Sequence, residues 1–167
     1  MAVHKENKYE FMEEYIIGYT YNTSEPFYID YEDFSTIKPF CWLSDKAGYL
    51  IAQKNHKQMK MHRLIMKPPE SMVIDHIDGN PANNRRNNLR ICTQQQNMMN
   101  ARYKHNKSCN VQGVTWDKRR NKWMAQISLN RKHYFLGRYD LIEEAIKARK
   151  KAEIKLFGEY APLRRSD

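Results

Sequence analysis

Apolar residues in this chain come in short clusters divided by turn formers, and the clusters follow three different rhythms. Over residues 1–66 they are brief and β-prone: Tyr15-Ile16-Ile17, Phe27-Tyr28-Ile29 and Tyr49-Leu50-Ile51, interrupted by Gly18, Pro26 and Gly48. Residues 31–40 are more polar and predict one helical turn. Met61-His62-Arg63-Leu64-Ile65-Met66 runs into Lys67-Pro68-Pro69. Regular structure must stop there, because proline lacks an amide hydrogen and restricts the residue before it.

Residues 71–103 read as strand, loop, strand, helix. Val73 and Ile74 open a strand, residues 79–88 are dense in turn formers, and residues 89–92 form the return strand. Thr93 as N-cap, with Gln96 closing a capping box, predicts a helix over residues 94–103. The polar, basic stretch 104–110 predicts a linker. Residues 111–116 then predict a strand and residues 117–121 a turn. Residues 122–129 alternate: Trp123, Ala125, Ile127 and Leu129 share one face, Lys122, Met124, Gln126 and Ser128 the other. Asn130-Arg131 predicts a tight hairpin into a third strand, residues 132–139. A helix starts after Asp140, supported by Glu143, and Gly158 ends it. Its stripe of Leu141, Ala145, Ala148, Ala152 and Leu156 predicts close packing of this helix on the sheet.

Composition adds a partner class. The chain has 167 residues, 41% hydrophobic and 29% charged, which fits one medium or two small folded domains and excludes a disordered chain. No apolar run approaches the roughly 20 residues that span a bilayer, and residues 1–10 lack the apolar core of a signal peptide. An intracellular, cytoplasmic protein is expected. Cys41, Cys92 and Cys109 are widely spaced, match no zinc or redox motif, and read as reduced thiols packed as small hydrophobes. The net charge of +10 is uneven: residues 1–70 hold 9 Lys+Arg against 10 Asp+Glu, residues 71–167 hold 20 against 9. Such a basic half predicts a polyanion partner rather than a membrane surface.

The middle segment holds candidate chemistry. Asp75-His76 sits at a strand end and Asn97 in the first turns of the following helix, so folding the hairpin on the helix brings them near one another. A carboxylate and an amide oxygen are hard donors that suit Mg²⁺ or Mn²⁺ better than zinc. His76 alone titrates near neutrality, as a general base for an attacking water must. Two readings stay open at this level. An Asp-His pair occurs in many loops, and asparagines in such a loop are more often turn formers than functional groups. Adjacent strand residues also point to opposite faces, so Asp75 and His76 share one site only if the strand twists, bulges or ends there.

Asp75-His76-Ile77-Asp78-Gly79-Asn80, Asn84-Arg85, Asn88-Leu89-Arg90, Thr93 and Asn97 together closely resemble the HNH endonuclease signature, especially that of phage and intron enzymes. Met61-His62-Arg63-Leu64-Ile65 resembles the segment that precedes it. The resemblance implies a ββα-metal unit in which His76 is the general base, Asp75 and Asn97 hold one Mg²⁺ or Mn²⁺, and Asn88 braces the loop and positions the histidine. Asn97 stands where many members carry histidine. Arg85 and Arg86 are expected on DNA. His62 and Arg63 either pack the N-terminal segment onto the hairpin or contact phosphate; His4, His56 and His105 read as surface residues.

Gly113-Val114, residues 123–127, Phe135-Leu136-Gly137-Arg138-Tyr139, Glu144-Ala145 and Phe157-Gly158-Glu159-Tyr160-Ala161 resemble the Apetala/ethylene-response-factor DNA-binding domain. By that resemblance Thr115, Lys122, Gln126, Ser128, His133, Phe135 and Arg138 face DNA. The pattern itself adds the turn residues Lys118, Arg119 and Arg120 to a basic sheet face that suits the major groove. Several of these positions differ from the plant members, so no target sequence carries over. Trp116 either stacks on a sugar or packs in the core.

The expectation is an α+β chain: residues 1–103 a β-rich extension and nuclease unit (core 61–103), 104–110 a linker, 111–163 a three-stranded antiparallel sheet plus one helix. It predicts a monomeric, phage- or mobile-element-encoded enzyme that cuts double-stranded DNA. The rivals are a DNA-binding regulator with an inactive nuclease fold and an RNA-binding module.

Overall fold

In the computed structural model, which describes residues 6–100, 109 and 111–162, Gly18 lies inside a strand rather than breaking one. It belongs to β2 (Ile16–Tyr19), the centre of an antiparallel sheet ordered β1 (Lys8–Phe11), β2, β3 (Pro26–Ile29). A Cβ at Gly18 would stand 2.2 Å from Phe27 Cζ, so glycine is there to make room for that buried ring. Pro26 opens the edge strand β3, where a missing amide hydrogen is tolerated. After the helical turn α1 (Phe34–Ile37), β4 (Leu43–Ser44), β5 (Leu50–Lys54) and β6 (Lys57–Lys60) make a second sheet. The pattern gave no sign of β1 or β6, in each of which two of the four residues are exposed and polar and none is fully buried.

Helix α2 (Met61–Met66) follows β6 directly and stops at Lys67, which adopts φ 45° ahead of the two prolines. Then come β7 (Val73–His76), β8 (Leu89–Cys92) and α3 (Gln94–Asn100). The capping box forms: Gln96 N donates to Thr93 Oγ1 at 3.2 Å and Thr93 N to Gln96 Oε1 at 2.8 Å. The expected extension of this helix over residues 101–103 and nearly all of the expected linker lie outside the described residues, as do His4 and His105.

The chain divides into two compact units, Met1–Met98 and Met99–Asp167. In the first, one core of Ile16, Phe27, Ile29, Ile37, Trp42, Leu50, Met61, Ile65, Ile74 and Leu89 joins the N-terminal sheets to the β7–β8 hairpin. Tyr28 of β3 adds backbone bonds to the loop, its N donating to Ala82 O and its O accepting from Asn84 N. Residues 16–52 therefore supply much of the hydrophobic support of the hairpin.

In the second unit β9 (Val114–Asp117), β10 (Lys122–Leu129) and β11 (Lys132–Tyr139) form an antiparallel sheet ordered β11-β10-β9, and α4 (Ile142–Phe157) packs on it. The expected strand over 111–116 begins only at Val114. Gly113 makes a turn with φ 74°, and a Cβ there would lie 2.2 Å from Gln126 O. The expected helix stripe is also rotated. Ala145, Arg149, Glu153 and Phe157 are the buried line, Ala148, Ala152 and Leu156 flank it, and Leu141 is exposed. The reason is a buried ion pair, Arg149 Nε to Glu153 Oε1 at 2.9 Å, with Arg149 Nη1 donating to Gln126 O at 2.6 Å. Leu141, not Asp140, takes the N-cap position, and Asp140 pairs with Lys122 instead. Among the described residues the protein is thus a mixed α and β chain with antiparallel sheets and few helices, none long and apolar enough to cross a membrane.

Candidate active site

The β7–β8 pairing sets the site. Its register puts Asp75 opposite Arg90 and His76 opposite Leu89, so the acid and the imidazole meet different neighbours. Asp75, 5% exposed, accepts from Arg90 Nε at 2.8 Å and Nη2 at 2.5 Å, both on Oδ2. The Cys92 thiol beside it reaches the backbone of both Asp75 and Asn97. Asn97 is half-buried in the first turns of α3, where its N donates to Thr93 O.

His76 closes β7. The strand ends there: Ile77 N donates to Asn88 O and Gly79 N turns back to His76 O, with Gly79 at φ 68°. The His76 ring, 6% exposed, lies 5.2 Å from the His62 ring and 5.9 Å from that of Tyr49. Burial lowers its pKa, opposed by the neighbouring Asn84 side chain and the carboxylates of Asp78 and Asp75. His62 is pushed down further, to about 3, by burial and then by His76, Lys60 and Arg63. An uncharged, buried His62 is a poor phosphate contact; of its two readings, packing is the one the geometry favours.

Asn88 ties the loop together. Its Oδ1 accepts from Asp78 N at 3.0 Å, and its Nδ2 donates to Asp78 Oδ1 at 3.0 Å and to Asn83 O at 2.8 Å. Asp78 also accepts from Asn80 N and Asn83 Nδ2. Arg85 and Arg86, expected on DNA, both pair with acids of residues 30–33, Arg85 partly buried and Arg86 exposed. Arg85 Nε donates to Asp30 at 2.9 Å and stacks on Tyr15; Arg86 holds Asp33 through two bonds and Glu32 through a third contact.

Among the described residues no three His, Cys, Asp or Glu side chains converge. The available donors are oxygens, the Asp75 carboxylate and the Asn97 amide, a set that fits Mg²⁺ or Mn²⁺ and not a closed zinc site. Sequence reasoning placed Asn84 and Arg90 in the signature without giving either a role, and missed Tyr49. The role of Arg90 was within reach, since a hairpin closing on residues 79–88 pairs it with Asp75; Tyr49 carries no local signal.

In the second unit Thr115 and Arg138 flank Met124, Gln126 faces Phe135 and Ser128 faces His133, on the strand positions that alternate with buried Val114, Ala125 and Ile127. The register slips by one residue between Ala125 and Gln126. Ser128 Oγ and His133 Nδ1 are hydrogen-bonded at 2.8 Å, and Arg138 lies over the Phe135 ring at 4.9 Å. Lys118, Arg119 and Arg120 project from the β9–β10 turn. Some of this charge has partners: Asp117 takes Arg138 at 3.1 Å and Arg120 at 3.5 Å, and Lys122 reaches Asp140. Trp116 is 38% exposed and packs edge-on against Trp123.

Residues 60–99 match the HNH endonuclease family model. The chain is 32% identical over 75 residues to Protein 3.8 of Escherichia phage T7, covering 45% of this chain and 62% of that protein. It is 27% identical over 146 residues to an uncharacterized HNH endonuclease, L560, of Acanthamoeba polyphaga mimivirus, 84% of this chain and 75% of that one. It is 37% identical over 62 residues to the SPbeta prophage-derived HNH homing endonuclease candidate YosQ of Bacillus subtilis, 34% of this chain and 36% of that one. The chain thus spans less than two thirds of the phage and prophage relatives. No solved structure matches it. An HNH endonuclease domain is therefore present, and its relatives are viral and prophage proteins.

Proposed function

We propose that this chain is a metal-dependent HNH endonuclease that hydrolyses one phosphodiester bond of double-stranded DNA per active site, with a C-terminal sheet that holds it on its target. The observation that carries the reading is the buried His76 at the end of β7, inside the span matched to the HNH family. With its pKa lowered by burial, His76 is neutral at physiological pH and able to accept a proton.

In the reaction, a water oxygen attacks phosphorus as His76 takes one of its protons. The bond from phosphorus to the leaving sugar oxygen breaks, and that oxygen is reprotonated from solvent. Asp75 and Asn97 would hold the cation in a ββα-metal arrangement; when bound, Mg²⁺ or Mn²⁺ neutralises charge on the phosphate and the leaving oxygen. Arg90 keeps Asp75 oriented, and Asn88 holds the 77–83 loop against which His76 is set. General-base catalysis of this kind is typically worth about 10²–10⁴-fold.

The second unit supports DNA reading of the ethylene-response-factor kind. Its helix covers one sheet face, and the other presents Thr115, Gln126, Ser128, His133, Phe135 and Arg138. Glutamine can pair with adenine through two hydrogen bonds, and Lys118, Arg119 and Arg120 suit phosphate. We read the whole as a nicking or homing enzyme of a phage or mobile element, acting as a monomer. The test is supercoiled plasmid incubated with limiting protein and Mg²⁺ or Mn²⁺, with and without chelator. Metal-dependent open-circular product is expected; direct accumulation of linear DNA contradicts the single-centre reading.

A further inference from the structure

Three rings from three separate elements meet at the candidate base. His62 comes from α2, Tyr49 from the residue before β5, and His76 from the end of β7. The His62 and His76 planes cross at 87° with centroids 5.2 Å apart; Tyr49 meets His62 at 5.5 Å and His76 at 5.9 Å. Edge-to-face contact of this kind fixes the plane of each ring as well as its place.

His62 is 6% exposed, and its Nδ1 is buried without a hydrogen-bond partner. Hydrogen bonding through Nδ1 is therefore not what this side chain contributes, and its low pKa removes charge as a role. The contact that the geometry does supply is its flat ring, packed edge-to-face against His76 and Tyr49. We propose that His62 is a positioning residue whose ring, together with that of Tyr49, sets the orientation of the His76 imidazole for proton abstraction.

The demand for such a wedge is physical. His76 also shares a side-chain hydrogen bond with Asn84; one such bond does not by itself fix the ring plane, and proton transfer needs the reacting nitrogen within hydrogen-bond reach and aligned. Misplacement by about 1 Å can cost 10²-fold. The β6–α2 junction, where strand passes directly into helix, delivers His62 from a buried and rigid element: Met61 and Ile65 are core residues on either side of it.

The inference rests on the reading of His76 as base, and the experiment separates the two. Full-length wild type is compared with His62→Phe, His62→Leu and His62→Ala for steady-state cleavage of a nicked-product plasmid substrate, and for the NMR signals of the His76 ring protons. Phe keeps a planar ring, Leu keeps volume without the plane, and Ala keeps neither. The expected result is kcat near wild type in His62→Phe and about 10–100-fold lower in His62→Leu and His62→Ala, with KM for DNA within about threefold in all. The His76 ring signals should stay near their wild-type positions in His62→Phe and move in the other two. If His62→Ala fails to fold, the Phe and Leu pair decides. A well-folded but inactive His62→Phe, a wild-type kcat in His62→Leu, or a raised KM in place of a lowered kcat overturns the proposal. Should wild type and His76→Ala cleave alike, the base assignment fails, and the ring signals alone still judge whether His62 orients His76.

Discussion

Arg90 donates from both Nε and Nη2 to a single oxygen of Asp75, its direct cross-strand partner. Both groups are largely buried, so removing the arginine takes a directly bonded cation away from a buried acid. Taking one partner from a buried pair costs about 3–5 kcal/mol, and Arg90→Ala is expected near the lower end because Arg90 is 14% exposed. A cation on Asp75 would replace part of that charge. Adding Mn²⁺ should therefore raise the unfolding temperature more in Arg90→Ala than in wild type. An equal or smaller rise would show that Asp75 does not hold the metal.

Asn88 is expected to act through the loop rather than on DNA. Asn88→Ala removes three side-chain hydrogen bonds, two of them with Asp78. At about 1 kcal/mol each the loss is about 2–3 kcal/mol in urea unfolding, with slower cleavage and unchanged DNA affinity. Weakened binding with an unchanged cleavage rate of the bound complex would contradict this role.

His62 gives acid stability a definite sign. Its pKa falls from 6.5 to about 3 on folding, chiefly through burial. As pH drops through 6.5 the unfolded chain takes a proton that the folded chain refuses until about 3, so stability is lost across that window and is independent of this group above it. The slope approaches about 1.4 kcal/mol per pH unit for the one group; His76, shifted in the same direction, steepens it. Urea midpoints followed from about pH 7.5 down to about 4.5 should fall less in His62→Phe than in wild type. Parallel curves would contradict the burial of a neutral imidazole.

The two basic clusters should separate in a salt titration. Arg86 is tied to Asp33 and Glu32, so Arg86→Ala should lower stability and leave the salt dependence of DNA binding as it is. A double Lys118→Gln, Arg119→Gln variant should flatten it, since each lost phosphate contact removes about 0.9 from the logarithmic slope. Gln126→Ala should weaken binding to a preferred duplex more than to random DNA. A flatter slope in Arg86→Ala, or none in the double variant, would place the DNA elsewhere.

Reading the sequence reached the Thr93 cap and the alternating strand because those signals are local. Thr93 and Gln96 lie three residues apart, and β10 alternates between buried and exposed from Ala125 to Ser128. What was not legible depends on long-range contact. Gly18 looks like a breaker until Phe27 is seen occupying its missing side chain. Arg149 and Glu153 look like solvated helix charges until they are found paired beneath Gln126. The ion pairs of Arg85 and Arg86 were not visible because their acids lie more than fifty residues earlier in the chain. At the site, the signature residues named themselves, while Tyr49 and His62 become meaningful only when β5 and α2 bring them to His76.

The most direct test of the account is single-turnover cleavage of plasmid DNA by wild type and His76→Ala with Mg²⁺ or Mn²⁺, with DNA affinity measured in parallel. Metal-dependent nicking by wild type, a loss of at least about 10²-fold in the variant, and unchanged affinity are expected. Equal cleavage by the two proteins, or tight binding by wild type with no cleavage under any divalent metal, would contradict it, the latter in favour of a DNA-binding protein with an inactive nuclease fold.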